Sequence, residues 1–572
     1  MKRHKYLLFL AFIIFIFAII KYNTTSNPLS RLEFSALTII IPMVVISYVV
    51  LSKPLSKYKK LTGRSYITDR LTSQAPAGLI SAIKQAEREQ SEIKDSHRNR
   101  ANLNGTAAPS GILFGRTAGG RYVCDPAVRG ASPHIFVYGP SGSGKTQCLL
   151  LPTICSWPEK HHILALDISG DIVKALKENP WMRKKRPIIL DLNDFNAPIR
   201  FDPFQIVRSI SENVPENMTD SQIMEQQARK IEEIAYCLLP LPPKSSNENQ
   251  YFSSGGRDLL IASLTYGFYT GKNFADCLVW IMNSKLSDIC KTIEYSDYTD
   301  LKPLIRQFSG QNAKNLAGVR AEASKAAQKI AKNSTLRTIF TPPNAKENAT
   351  LISPEIIEQQ DVFIRVKMEE LEQNSAVIGL IFSQFFSYFY NRPLDICTEN
   401  PILFLCDELA SYVRYLPNFE NHIRNLRKYG VRILVCIQDF SSLDTAVSKE
   451  VRSTIVANCG WKVFLTVSNS TDQKQIADLI GKEKVLQHST SFSRIQTTTY
   501  TNRIEYDYII RPEDLATLGL STTIDPNDHG RLVLLGPSGY QILQRTPFWA
   551  CKETLENTKN RIIFTNLIDK RH

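Results

Sequence analysis

The stretch that most constrains this chain is HIFVYGPSGSGKTQ, beginning at His134. Ile135, Phe136, Val137 and Tyr138 form a β-branched and aromatic apolar run that reads as a buried strand. Gly139, Gly142 and Gly144 follow it closely, and then Lys145 and Thr146 open a helix. A strand that feeds a helix through so short and glycine-rich a turn predicts the βα unit of an α/β fold. Successive backbone N–H groups in such a turn face one concavity at a helix N-terminus, which is a site for an anion.

The complete spacing G-x-x-x-x-G-K-T narrows the anion to a nucleoside triphosphate. Lys145 is placed to reach the outer phosphates, and the Thr146 hydroxyl to hold Mg²⁺. Gly139, Pro140, Ser141, Gly142, Ser143, Gly144, Lys145, Thr146 and Gln147 are therefore the candidate nucleotide-binding residues, with ATP and Mg²⁺ as the expected cofactors. A chance match in a flexible loop is the alternative; the preceding strand argues against it.

Turnover needs an acidic station at the end of a neighbouring strand, and PILFLCDEL supplies one in Asp407 and Glu408. Asp407 is the candidate metal residue beside Thr146, and Glu408 the candidate base that positions the attacking water. A surface turn is the plainer reading of the same two residues. VRILVCIQD ends near Gln438, suited either to report the γ-phosphate by hydrogen bonding or simply to close a strand. HIRNLRKYG carries Arg424 and Arg427, either a solvated basic helix face or an arginine that reaches a neighbouring subunit's nucleotide; of the two, Arg427 is preferred.

Around these motifs, short apolar segments such as HHILALD, RPIILD, DVFIRV, WKVFLTV and GRLVLLG alternate with helical windows, which predicts a parallel sheet covered on both faces. ILFGRTAGGRYVCD reads as a hairpin turning at Gly119-Gly120, and the Ser/Thr-rich Ser489–Arg503 as a loop or hairpin. Long helical periodicity between Gln205 and Thr341, including the basic helix NAKNLAGVRAEASKAAQKIAKN, predicts an all-α insertion. The expected organisation is a membrane anchor over 1–60, a first nucleotide-binding part over 61–204, an all-α domain over 205–341 and a second nucleotide-binding part over 342–572.

The anchor rests on two apolar runs, Tyr6–Ile20 and Phe34–Leu51. Lysines and an arginine precede the first run and four lysines follow the second, so both ends are expected on the cytoplasmic side of the membrane, with a short external hairpin. A cleaved signal peptide is the competing reading of the first run, but no small-x-small site follows it. The eleven cysteines show neither C-x-x-C pairs nor metal-ligand spacing and read as reduced packing residues, in keeping with a cytoplasmic bulk. The net charge of +14 suits nucleic acid or an anionic membrane surface.

Taken in order, these segments resemble the TraG/TraD-class coupling ATPases of bacterial conjugation and type IV secretion. The resemblance runs through GILFGRTAGGRYVCDPAVRGASPHIFVYGPSGSGKT, LALDISGD, IRFDPF, FLCDELASYVRYLPNFENHIRNLRKYGVRILVCIQD, VANCGWKVFLTVSNSTDQKQIADLIG and IIRPEDLATL. Two positions depart from the family pattern: Ser169 stands where a lysine is usual, and Asp202 where an asparagine precedes the proline. The resemblance implies a RecA-like P-loop NTPase core with an inserted all-α domain and two N-terminal transmembrane helices. It further implies a homo-hexameric ring at the inner membrane, working with the ATPases and inner-membrane components of a type IV secretion channel. Such rings move single-stranded DNA bound to a relaxase, or effector proteins.

Two other functions stay open at this stage. One is a chromosome-segregation DNA translocase of the FtsK type, which would carry more membrane spans and a C-terminal winged helix. The other is a recruitment adaptor that binds nucleotide with little turnover.

Overall fold

The computed structural model describes residues 109–125, 133–212, 218–240, 247–416, 418–492, 498–520, 528–537 and 539–568. All of these belong to the second of the two units into which the chain divides, Lys94–His572. The two expected membrane runs and the first part of the linker lie outside the described residues. Among the described residues, no helix is long and apolar enough to cross a membrane.

Among the described residues, fifteen strands occur in chain order: β1 (Ile112–Arg116), β2 (Tyr122–Asp125), β3 (His134–Tyr138), β4 (Ile163–Asp167), β5 (Ile188–Asp191), β6 (Ile199–Phe201), β7 (Thr350–Ile352), β8 (Val362–Arg365), β9 (Ile402–Cys406), β10 (Val431–Ile437), β11 (Cys459–Phe464), β12 (Lys482–Phe492), β13 (Thr498–Tyr508), β14 (Arg531–Gly536) and β15 (Gly539–Gln544). Eleven form one sheet in the order β2-β1-β15-β14-β11-β3-β10-β9-β4-β8-β5. From β11 to β5 every neighbour runs parallel. From β11 to β2 every pairing is antiparallel. The expectation of a parallel sheet is thus corrected at one flank: GRLVLLG is β14, which pairs antiparallel with both β11 and β15.

The pleat distributes the apolar runs to two cores. Phe136, Tyr138, Phe404, Ile433, Val435 and Ile437 enter one cluster, while their neighbours Ile135, Val137, Leu403, Leu405, Leu434 and Cys436 enter the other. This is why the strands are continuously hydrophobic: both faces are covered.

Between β6 and β7 the described residues are helical, and they share the first of those clusters through Phe204, Ile231, Phe274, Val319 and Phe340. The helix Asn247–Tyr269 runs through Gly255 and Gly256, a dipeptide that by propensity marks a break. A Cβ on Gly255 would come within 2.9 Å of the Val319 side chain, and one on Gly256 within 2.9 Å of Glu322. The glycines are there to bring this helix against Ala313–Ala331, and tertiary packing overrides their cost to the helix.

The β1–β2 hairpin turns at Gly120, whose φ of 78° suits a glycine. β12 and β13 pair with each other as a separate antiparallel ribbon.

Candidate functional site

The site lies where β3, β10 and β9 end side by side. Register places Ile437 of β10 opposite Tyr138 of β3, and Val435 of β10 opposite Cys406 of β9. Gly139, Gln438 and Asp407 are therefore the next residues along three adjacent strands, all leaving the sheet at its carboxyl edge. A crevice at the carboxyl edge of a parallel sheet is where such folds take ligands.

The turn after β3 is held by backbone bonds from Gly139 N–H to the Ile437 carbonyl (3.1 Å) and from Ser143 N–H to the Pro140 carbonyl (3.1 Å). Gly142 and Gly144 adopt φ of 74° and 89°, a region that side-chain-bearing residues enter at a cost. A helical turn over Thr146–Leu150 then continues into the helix Leu151–Ser156. The Lys145 ammonium donates to the carbonyls of Gly139 (2.7 Å) and Pro140 (3.3 Å), so it is buried above the turn. The Ser143 hydroxyl is buried and has no hydrogen-bond partner among the described residues. Ser141, Gly142 and Gln147 face solvent, and Thr146 is half-buried.

Asp407 is buried, and burial pushes its carboxyl up to about 7, with the Lys145 charge opposing and Glu408 adding to the rise. Glu408 is also raised, by burial first, against the pull of Lys145. Lys145 thus acts electrostatically on both carboxylates, and all three share one low-dielectric site. Glu408 has a φ of 57°, which a residue with a side chain adopts only under constraint. In that conformation it accepts a hydrogen bond from the Gln438 amide.

Arg427 stands elsewhere. It lies in the turn Leu426–Tyr429 that precedes β10, so within one chain it is at the opposite end of the strand from Gln438. A seven-residue strand separates the two by about 23 Å. Arg427 is near enough to His134, the first residue of β3, to disfavour its charged form. It is exposed, and no partner is found for it among the described residues. Arg424, also exposed, donates to the Thr454 hydroxyl at 3.2 Å.

Asp167, which ends β4, and Asp202, which follows β6, have local tasks. The Asp167 carboxylate accepts the N–H groups of Gly170 and Val173, both at 2.8 Å, and caps the helix Asp171–Glu178, with the Ser169 hydroxyl at 3.3 Å. Asp202 accepts the Phe204 N–H (3.0 Å) and pairs with Arg208.

One residue escaped the reading of motifs. Arg545, following β15, donates to the carbonyls of Ser143 (2.8 Å), Leu465 (2.7 Å) and Arg531 (2.9 Å) and to the Thr466 hydroxyl (2.8 Å). It braces the phosphate-type turn from the antiparallel flank. No local pattern marks it, because QRTPF carries no periodicity and its partners lie up to 402 residues away.

Among the described residues, no group of three or more His, Cys, Asp or Glu side chains is placed to cage a metal ion. A divalent ion here would have to share its ligands with phosphate oxygens, the usual situation for Mg²⁺.

Residues 79–524 match the family model described as type IV secretory system conjugative DNA transfer. Protein VirD4 of Agrobacterium fabrum is 21% identical over 435 residues, covering 74% of this chain and 60% of that protein. Protein VirD4 of Rhizobium rhizogenes is 21% identical over 418 residues, covering 71% of this chain and 58% of its own length. The chain therefore spans less than two thirds of the curated relatives it matches. Among solved structures, plasmid coupling protein TrwB in complex with ADP and Mg²⁺ superposes with a TM-score of 0.52 at 16% identity, covering 78% of this chain and 91% of the other. The unbound form of the bacterial conjugative coupling protein TrwB superposes with a TM-score of 0.51 at 16% identity, covering 76% and 88%. At that identity the likeness is one of fold.

Proposed function

Because the chain belongs to the type IV secretory system conjugative DNA transfer family, the coupling proteins of type IV secretion, we propose that it is an ATP-driven motor that recruits substrates to a secretion channel at the bacterial inner membrane. The observation that carries this reading is the convergence of Lys145, Asp407, Glu408 and Gln438 at the ends of three adjacent strands.

The residues fit ATP and Mg²⁺. The N–H-lined turn, the orphaned Ser143 hydroxyl and the Lys145 ammonium would hold the phosphates. Thr146 and Asp407 would hold the metal, which supplies neutralising charge to the transferring group. Lys145 exchanges its two carbonyl acceptors for phosphate oxygens. Glu408 orients the attacking water and takes its proton as the new oxygen–phosphorus bond forms and the bond to the diphosphate breaks. Gln438, bonded to Glu408, holds that carboxylate in position and couples its state to β10. Because Asp407 and Glu408 are both raised, a cationic neighbour is needed to keep them ionised, and Lys145 is that neighbour in the chain itself.

In a ring of copies, exposed Arg427 at the far end of β10 reaches the site of the next copy and stabilises charge on the phosphoryl group. Having no partner among the described residues favours it over Arg424, which is bonded to Thr454. The cargo under this reading is single-stranded DNA with its attached relaxase, or effector proteins, and the runs Tyr6–Ile20 and Phe34–Leu51 anchor the motor.

Steady-state phosphate release by the full chain, compared with Glu408→Gln, tests this. The motor reading expects a loss of at least about 100-fold, with nucleotide affinity retained. Equal background rates in both would leave a nucleotide-binding adaptor instead.

A further inference from the structure

A cleft of about 670 Å³ lies between the helical block and the sheet edge at β5 and β8. Phe195, Lys325, Lys329, Lys332, Lys367 and Glu370 line it. Lys325, Lys329 and Lys332 recur at i, i+4 and i+7 along one side of the helix Ala313–Ala331 and its C-terminal cap, over about 10 Å of axis. Lys367 approaches from the segment after β8.

Among the described residues, none of these four ammonium groups enters an ion pair. Lys329 is partly buried, and burial together with the charge of Lys325 lowers its pKa. The lining carboxylate, Glu370, is already engaged by the side-chain amide of Asn193. Unpaired like charges one helical turn apart cost stability, so a chain that gathers them in a cleft is matched to a polyanion.

Phe195 adds a second kind of contact. It sits in the loop after β5 and is 84% exposed, an apolar ring held out in water at the mouth of a basic cleft. Lys329 also lines a second cleft, whose walls include Tyr236, Tyr390, Tyr415 and Arg414. The basic groove thus continues into one lined by aromatic rings.

We propose that this pair of clefts, meeting at Lys329, is the track on which the protein grips single-stranded DNA, with lysines on the phosphates and rings against the bases. The inference rests on the reading of DNA as cargo. An acidic polypeptide would satisfy the lysines but make no use of the exposed Phe195 ring; an unpaired nucleic-acid strand uses both, without sequence preference.

The test is fluorescence anisotropy of a labelled oligothymidylate with the full chain across a salt series, ATP affinity serving as the control for folding. The Lys325→Ala/Lys332→Ala pair should weaken binding about tenfold and flatten the slope of log affinity against log salt by about 1.4, since each lost phosphate contact removes about 0.7. Phe195→Ala should weaken binding about fivefold with the slope unchanged, because stacking is not salt-dependent in that way. If the unaltered chain binds the oligonucleotide and neither variant differs, the track lies elsewhere. If the unaltered chain binds no oligonucleotide even at low salt, DNA as cargo fails before the track does. Displacement of the oligonucleotide by polyglutamate, with Phe195→Ala indistinguishable from the unaltered chain, would make the cleft a protein-docking surface and overturn the proposal.

Discussion

The guanidinium of Arg545 donates to the carbonyl of Ser143 at 2.8 Å, tying the last strand region of the sheet to the turn that precedes Lys145. Arg545 is buried, and its remaining donors go to Leu465, Thr466 and Arg531. The turn is therefore held by the mixed flank of the sheet as well as by the strand that carries it. That arrangement links the antiparallel strands β14 and β15 to the site through the residue that follows them.

Arg545→Lys keeps the charge but loses the fork that serves several acceptors at once. ATP affinity is expected to fall about tenfold with the fold retained, read by titration with a fluorescent nucleotide analogue. Arg545→Ala leaves those acceptors unpaired and should also lower unfolding stability by about 3 kcal/mol, measured by urea denaturation.

Arg427→Ala should leave ATP affinity and thermal stability unchanged, because the side chain is exposed and has no partner within the described residues. Turnover should fall by about 1,000-fold or more if the arginine acts across subunits. The decisive readout is a mixture: Arg427→Ala and Glu408→Gln chains, each inactive alone, should regain activity when combined.

His134 is buried at the start of β3, where its Nδ1 accepts the Ile433 N–H at 2.9 Å. Burial, with the Arg432 charge beside it, depresses its pKa to about 4. The unfolded chain then binds the proton more readily than the folded one between about pH 6.5 and 4, so stability from this group is complete above that window and is lost as pH falls through it. At pH 5 the loss from His134 is about 2 kcal/mol. Urea midpoints at pH 7 and pH 5 should show this drop, and His134→Asn should shrink it.

Gly256→Leu should disrupt the seam between Asn247–Tyr269 and Ala313–Ala331, because even a Cβ there comes within 2.9 Å of Glu322. Overpacking of this kind costs about 1–3 kcal/mol. Limited proteolysis should then cut first in the helical block, while ATP affinity stays as it was.

What local sequence determined was the chemistry at each strand end. The apolar runs of β3, β9 and β10 are written by hydrophobicity and β-branching, and each ends in the polar residues that form the site: Gly139–Thr146, Asp407 with Glu408, and Gln438. Short-range physics sufficed there, because a buried strand, a glycine turn and a helix start are each encoded within a few residues. The helix through Gly255 and Gly256 was legible from its periodicity, but the reason for its glycines was not, since they answer to a partner helix rather than to their neighbours in sequence.

Only the tertiary structure decided which strand ends lie side by side, that β14 and β15 reverse direction, and that Arg545 braces the turn. It also separated Arg427 from the site within a single chain and brought Lys367 from the segment after β8 to the three lysines that share one helix and its cap. These depend on strand order and on packing between segments hundreds of residues apart. Such pairings are settled by burial of the whole sheet, for which no single stretch of the chain carries the information.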